Sequence, residues 1–321
     1  MTDDLRWLAA AASLSARARP LSRPNPGVGA IVVRDGKVIA RGWTQPGGRP
    51  HAEAVALAQA GDAANGATLY VTLEPCAHKS ERGPSCADLV CSSTLKRVVV
   101  GCGDPDLRTG GKGIARIRAA GIACDLLSSA ECEASLSGYL IRTRAVRPQV
   151  TLKLALSLDG CIATASGESQ WITGDAARAH THAMRAQADA ILVGGATLRT
   201  DAPRLDVRLP GLADRSPQRW VLTRGKAPEG WRALSSPGAI RDMTDIQSLF
   251  VEGGAGVASA FLAAGLVDRL LIYRAPILVG GGQMAVGDIG LDSLAHAHHQ
   301  WRLQDRRQLG SDTLEVYVRQ G

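Results

Sequence analysis

At 321 residues the chain exceeds one ordinary domain and points to two. Its 45% hydrophobic and 21% charged composition excludes a disordered or collagen-like protein. The net charge of +7 fits nucleic acid, acidic lipid, a phosphorylated small molecule or plain surface charge.

Further counts narrow that set. Arg outnumbers Lys 31 to 6, and Arg is the better bidentate phosphate binder. No basic run of five occurs, and the 2 Phe and 4 Tyr are too few for a base-stacking platform. Nucleic acid is therefore not an expected partner. No stretch of 18 apolar residues exists, so no membrane span is expected. Seven Cys, an odd number with no signal peptide before them, point to a reducing, cytoplasmic compartment without a disulfide framework.

The predicted elements alternate. A helix over about 3–18 leads to Pro24-Asn25-Pro26-Gly27, then strands 28–34 and 37–43 turn at Asp35-Gly36. A helix at 51–61, a strand at 68–73, a helix at 87–95 and a strand at 97–101 follow. A helix at 112–120, a strand at 122–126 and a helix near 130–145 close an α/β sandwich over residues 1–146. A second α/β unit, 147–321, opens after Arg147-Pro148 with a strand at 149–157. Helices at 175–187 and 256–264 alternate with strands at 190–193, 219–223, 248–251 and 269–273. Strand-like segments near 300–305 and 313–319 finish the chain, and 205–247, rich in Pro, Gly and Arg, resists assignment.

The first chemical constellation is His51-Ala52-Glu53 at a helix start, Pro75-Cys76 after a strand, and Cys86 opening the next helix. One His and two Cys supply three ligands to a single zinc ion and leave its fourth position open. Zinc in such a site lowers the pKa of bound water toward neutrality. Glu53, two residues past the histidine, faces that water as general acid/base without ligating the metal. H-x-E followed by P-C-x-x-C is the zinc-deaminase signature. Here nine residues rather than two separate the cysteines, a polar insert in which His78, Lys79 and Arg82 are candidate phosphate contacts or solvated loop. Cys91, Cys102, Cys124, Cys132 and Cys161 read as core. His180 and His182 lie two apart on a helix, and His296, His298 and His299 cluster near the end, but a metal site at either place is not expected.

The second constellation is glycine-rich. Glu252-Gly253-Gly254-Ala255-Gly256-Val257 lies between a strand and a helix, where backbone can approach a phosphate and the helix start offers N–H donors. Gly194-Gly195, with Thr197 beside it, is a second such turn. Either is a pyrophosphate site or a plain strand–helix turn.

These residues together resemble the bifunctional deaminase–reductases of riboflavin biosynthesis. The first half carries Pro24-Asn25-Pro26-x-Val28-Gly29, His51-Ala52-Glu53 and Thr72-Leu73-Glu74-Pro75-Cys76-x-His78, and the long cysteine gap is itself a family mark. The family's Gly-Arg-Thr-Pro-Pro-Cys loop becomes Glu81-Arg82-Gly83-Pro84-Ser85-Cys86, one residue longer. The second half matches at Lys153–Gly160, Ser166–Thr173, Gly194–Thr197, Asp201-x-Pro203, Leu205-x-x-Arg208 and Val251–Gly254. The resemblance implies a cytidine-deaminase-like α/β/α sandwich followed by a dihydrofolate-reductase-like α/β domain that uses NADPH. It implies deamination of a phosphorylated ribosylamino-diaminopyrimidinone at zinc, then reduction of its ribosyl group to ribityl by hydride to C1′.

Site roles also follow from the resemblance. Ala155, Trp171, Thr197, Asp201, Gly254, Ala255, Gly256, Val257, Ala258, Ser259 and Ala260 become NADPH contacts. Asn25, Ser169, Arg185, Leu205, Arg208 and Glu252 become substrate contacts, the two arginines suiting the phosphate. From the residues alone, Asn25 is equally a turn residue, Trp171 equally core, and Lys153 either a strand-edge charge or another substrate contact. The stretch 209–247 is short for the family, and Thr223-Arg224 stands where members have Asp, which makes Arg224 a candidate for the cofactor's 2′-phosphate. Asp201 and Glu252 are the candidate acids of the reductase. A small phosphorylated pyrimidine is the expected partner and a homo-oligomer the expected assembly. The alternatives are a zinc deaminase of another base with a degenerate second half, or a structural zinc module.

Overall fold

A computed structural model describes residues 2–78, 81 and 83–320. The chain divides into two units, Met1–Val146 and Arg147–Gly321.

In the first unit, helix α1 (Thr2–Ser15) carries Asp3 and Asp4 in its first turn, where acidic groups suit the positive helix end. Strands β1 (Gly29–Arg34) and β2 (Lys37–Trp43) make the hairpin expected at Asp35-Gly36. Then follow α2 (Ala52–Ala60), β3 (Thr68–Val71), α3 (Cys86–Cys91), β4 (Arg97–Val100), α4 (Lys112–Ala119), β5 (Ala123–Leu126) and α5 (Ala130–Ala145). Among the described residues the sheet has five strands in the order β2-β1-β3-β4-β5, antiparallel at β1 and parallel from β3 to β5. Helices α1 and α5 pack together, and α2, α3 and α4 form a second set.

With so few aromatics the core rests on Leu8, Ile31, Leu69, Ile117, Leu136 and the fully buried run Val98–Val100. Small residues then let layers approach closely: a Cβ on Gly42 of β2 would lie 2.1 Å from the Ala52 carbonyl, where α2 begins. The predicted helix 87–95 stops at Cys91, because the Ser93 hydroxyl donates to the Val90 carbonyl (2.6 Å) and competes with helix continuation.

The second unit contains β6 (Gln149–Leu156), β7 (Cys161–Ala163), α6 (Asp175–Arg185), β8 (Ala190–Gly194), α7 (Gly195–Asp201), β9 (Gln218–Leu222) and β10 (Arg232–Leu234). It continues with β11 (Ser248–Glu252), α8 (Ala255–Ala263), β12 (Arg269–Arg274), β13 (Gln283–Met284), β14 (Trp301–Leu309) and β15 (Asp312–Arg319). Among the described residues its main sheet has eight strands in the order β10-β9-β8-β11-β6-β12-β15-β14. Strands β10 to β12 are parallel, and the β14–β15 hairpin closes the edge antiparallel. The β8 run Ala-Ile-Leu-Val-Gly is buried throughout, as a parallel strand covered on both faces must be. Edge strand β14 is largely exposed, and its Arg302, Asp305, Arg306 and Arg307 guard the free edge against further pairing.

Gly194-Gly195 forms the expected turn from strand to helix, with Gly195 opening α7. One expectation changes here. Lys153 is not a strand-edge charge, since β6 lies between β11 and β12. The stretch 205–247 contains the strand expected at 219–223 as β9, the short strand β10, and two 3-10 segments at Ala213–Arg215 and Pro237–Asp242. Among the described residues no helix is long and apolar enough to cross a membrane.

Candidate functional site

The first site forms where the start of α2, the end of β3 and the start of α3 meet. His51 is the residue before α2, and its Nδ1 lies 3.2 Å from Cys86 Sγ and 3.6 Å from Cys76 Sγ. Two ligands on a tetrahedral zinc, at 2.0–2.3 Å from the ion, sit about 3.5 Å apart. All three ligand atoms lie within 4.8 Å of one another, so this donor set fits zinc. Among the described residues His296, His298 and His299 form no such group. The Cys86 backbone N–H donates to Cys76 Sγ (3.3 Å). The Cys76 thiol is pushed down to about 4, first by the Cys86 hydrogen bond and also by His51, while Cys86 is pushed up. A divalent ion takes both as thiolates.

Glu53 follows His51 into the first turn of α2 and is 3% exposed. Burial lifts its carboxyl above the usual range and the neighbouring Cys76 adds to this, against the pull of His51. Asn25 donates from Nδ2 to the Gly48 carbonyl (2.9 Å) and lies 3.4 Å from His51 Nε2, so it reaches the site rather than only shaping a turn. Gly48 is at φ +84, and a Cβ there would strike the Asn25 side chain.

Sequence reasoning missed the anchor of this site. Glu74, also 3% exposed, accepts backbone N–H groups from Gly111 (3.0 Å), Gly113 (2.9 Å) and Ile114 (3.1 Å) around the start of α4. A carboxylate there suits the helix dipole and holds the loop that carries Pro75 and Cys76. A Cβ on Gly113 would lie 2.1 Å from the Pro75 carbonyl, so only glycine permits this approach. The insert is anchored at its far end. Ser85 caps α3 by accepting from Asp88 N–H, and Arg116 donates to both Ser85 Oγ (3.1 Å) and Asp88 (2.8 Å). His78 Nδ1 lies 3.5 Å from Thr109 Oγ1, whereas Lys79 and Arg82 fall outside the described residues. All seven cysteines are unpaired, and Cys102, Cys124, Cys132 and Cys161 are buried, with Cys91 half-buried.

The second site is a cavity of about 890 Å³ at the carboxyl ends of β6, β8, β9 and β11. That is where open parallel sheets bind ligands. It gathers Ala155, Ser169, Trp171, Arg185, Thr197, Asp201, Leu205, Arg208, Glu252 and Gly254–Val257. Ala258, Ser259 and Ala260 do not line it: Ala258 is core, and Ser259 donates to the Ala255 carbonyl and accepts from Gly287 N–H. Trp171 is 65% exposed, not core, with the Arg178 guanidinium 4.8 Å from its ring centre. Gly256 has open space where a side chain would start, and Gly254 meets only Thr197 Oγ1 at 3.8 Å. This glycine turn leading into α8 leaves the room a pyrophosphate and its nicotinamide cofactor need.

The cavity's polar wall is built around Glu252. Arg185 grips it twice, Nε to Oε1 at 2.6 Å and Nη2 to Oε2 at 2.9 Å, with both side chains 12% exposed. Burial favours the neutral acid, yet the Arg185 fork and Lys153 hold Glu252 below the usual carboxylate range. Burial pushes the Lys153 ammonium down, opposed by Glu252. The two expected substrate contacts Arg185 and Glu252 thus bind each other. Arg208 is half-exposed, and Arg224 lies exposed beyond the end of β9. His182, which no motif singled out as a ligand, also lines this wall.

Comparison with known proteins accounts for both sites. Residues 1–102 match the cytidine and deoxycytidylate deaminase zinc-binding region, and 148–236 with 238–314 match the RibD C-terminal domain. The riboflavin biosynthesis protein RibD of Escherichia coli is 36% identical, over 96% of this chain and 97% of its own length. That of Mycobacterium tuberculosis is 38% identical over 91% and 90%. Among solved structures, Acinetobacter baumannii RibD superposes with a TM-score of 0.84 at 33% identity, covering 100% of this chain and 99% of its own. The Thermotoga maritima diaminohydroxyphosphoribosylaminopyrimidine deaminase/5-amino-6-(5-phosphoribosylamino)uracil reductase gives 0.87 at 29%, covering 99% of each chain. The chain belongs to the RibD family, the bifunctional enzymes of riboflavin biosynthesis that join a zinc-dependent deaminase of cytidine-deaminase fold to an NADPH-dependent reductase of dihydrofolate-reductase-like fold.

Proposed function

We propose that residues 1–146 deaminate 2,5-diamino-6-(5-phospho-ribosylamino)pyrimidin-4-one and that residues 147–321 reduce the product to 5-amino-6-(5-phospho-ribitylamino)uracil. The observation that carries the first step is the buried Glu53 two residues past His51, beside three converging ligand atoms. His51 Nδ1, Cys76 and Cys86 would hold a zinc ion, which when bound would supply a Lewis acid that lowers the pKa of water toward neutrality. Glu53 carries one proton of the attacking water to the ring nitrogen and the other, from the added hydroxyl, to the departing amino nitrogen, so the C–N bond breaks, C=O forms and ammonia leaves. Its raised affinity for a proton suits both halves of that transfer. Asn25, fixed by Gly48, holds the pyrimidine edge.

In the second unit NADPH, when bound, supplies the hydride. Ala155, Trp171, Thr197, Asp201 and Gly254–Val257 hold that cofactor, with the N–H groups at the start of the nine-residue α8 toward its pyrophosphate. Arg208 and the remaining donors of Arg185 receive the ribose phosphate, with Ser169 and Leu205 alongside, and Glu252 orients Arg185. Arg224 is the candidate for the cofactor's 2′-phosphate. A homo-oligomer fits the exposed apolar side chains Ile277, Leu278, Met284 and Leu294. Seven unpaired cysteines fit a reducing, cytoplasmic setting. The partner is a small phosphorylated pyrimidine rather than nucleic acid or membrane.

The decisive experiment supplies the diamino substrate with and without NADPH and reads products by mass. Deamination alone, then two further hydrogens only when NADPH is added, is the expected result. Failure to consume NADPH after ammonia release rejects the second half.

A further inference from the structure

The polar wall of the second cavity contains a histidine that the proposed reactions do not use. His182 lies one turn before Arg185 on α6 and lines the cavity. Its Nδ1 is 3.1 Å from the Asp206 carbonyl oxygen, and its Nε2 is 3.3 Å from Arg208 Nη2. A carbonyl only accepts and a guanidinium only donates. The ring is therefore neutral, donating from Nδ1 to Asp206 and accepting at Nε2 from Arg208. The Arg208 backbone N–H also points at Nδ1 (3.3 Å); Nδ1 cannot accept it and donate to Asp206 at once, and donation to the nearer carbonyl is the arrangement that leaves Nε2 able to accept from Arg208 Nη2.

The charged groups around this ring come from four segments. Arg185 shares its helix; Arg204, Asp206 and Arg208 come from the loop after α7; Glu252 ends β11; and Lys153 comes from β6. Most of them are already engaged. Arg185 is held by Glu252 and by the Asp206 carbonyl (3.1 Å), and the Asp206 carboxylate pairs with Arg204 at 2.7 Å. Arg208 is different: its guanidinium donates to the imidazole lone pair, and the nearest carboxylate oxygen stands 3.8 Å away. An anion displaces a neutral imidazole from a guanidinium far more readily than it displaces a carboxylate. Burial, with Arg185 and Arg208 adding to it, pushes the imidazole's affinity for a proton below its usual value.

We propose that His182 is a proton-linked ligand of the substrate's phosphate. A phosphate oxygen enters between Arg208 Nη2 and His182 Nε2, Arg208 turns its donor onto that oxygen, and the imidazole takes one proton from solvent at Nε2 and donates it as a hydrogen bond. No covalent bond changes; one proton is taken up on binding and released when product leaves. The pair thereby selects phosphorylated over dephosphorylated ribosylaminopyrimidines. This inference rests on the placement of the phosphate at Arg185 and Arg208.

The test uses full-length enzyme and inorganic sulfate, which stays divalent across the neutral range, as competitor against the phosphorylated substrate in the NADPH-consumption assay. For the unmodified enzyme sulfate affinity should rise several-fold, at most tenfold, per pH unit as pH falls from about 8.5 to about 6.5, the slope of a single proton. In His182→Asn the slope should vanish. His182→Gln, whose amide reaches the Nε2 position but does not titrate, should bind sulfate with an equally flat profile and guards against a misfolded first variant. A flat profile in the unmodified enzyme, or a slope retained in both variants, overturns the role of His182. Arg208→Ala should weaken sulfate at every pH. If it leaves sulfate and substrate affinity unchanged, the phosphate placement itself fails and the proposal with it.

Discussion

The two sites of this chain are built on opposite plans. The deaminase site is small and buried, with three ligand atoms within 4.8 Å and an acid two residues from one of them. The reductase site is a wide cavity assembled from many segments between Lys153 and Gln283, in which much of the polar wall is already paired with itself. A metal demands fixed ligand types at fixed distances, so its chemistry concentrates in three short motifs. A dinucleotide and a sugar phosphate spread over a long surface, so in the proposed reading their recognition is shared among backbone turns, one exposed aromatic and a charge network.

The sharpest way to separate the two sites is Glu53→Gln. Deamination should fall about 10²- to 10⁴-fold with one zinc per chain retained, while reduction of pre-deaminated substrate continues unchanged. Metal content by mass spectrometry and ammonia release read this out, and retained deaminase turnover would falsify the acid/base role. Next in size is Arg185→Ala, which leaves the Glu252 carboxylate buried and unpaired and should destabilise the second unit by about 3–5 kcal/mol. Denaturant melting checks it. An apolar pair, Arg185→Met with Glu252→Leu, should recover part of that loss, since it also takes the opposing carboxylate from buried Lys153, and no recovery means the pair was not the cause.

Glu74→Gln probes the anchor of the zinc loop. Losing the charge that gathers four backbone N–H groups should cost about 1.5–3 kcal/mol and loosen zinc, leaving NADPH affinity alone. Unchanged zinc affinity in a competition titration would remove Glu74 from the account.

The smallest effect concerns acid. Burial pushes the Asp4 carboxyl up, but hydrogen bonds from Arg97 and Tyr70 outweigh it and hold it below the ordinary 3.8. A depressed carboxylate adds stability above its unfolded pKa and loses it as pH falls through the folded value. The first unit should therefore weaken below about pH 4, and Asp4→Asn should lower its stability by about 1 kcal/mol at neutral pH and flatten that acid limb. Melting curves across pH decide it.

Much of the deaminase site was legible because its determinants are local. A histidine before a helix, a Pro-Cys after a strand and a Cys opening the next helix each place one donor where the element's geometry points it. Glu74 was not legible as an anchor, because its partners at 111–114 are some 40 residues away and show no ligand chemistry of their own. Lys153 was ambiguous because a lone lysine in a strand reads as an edge charge until the sheet order places β6 inside.

In the reductase half the glycine turns and the paired arginines were visible as residues, but not their partners. By itself the sequence determined the alternation of elements, the zinc ligand set and the family. Those depend on short-range periodicity and on residue types that few other roles explain. Only the tertiary structure decided that Arg185 closes on Glu252, that Ala258 belongs to core while Gly254 and Gly256 face open space, and that His182 meets Arg208 beside them. These are contacts across 20 to 70 residues of chain, and nothing in the spacing of a sequence says which of several like charges a side chain will meet once the strands have paired.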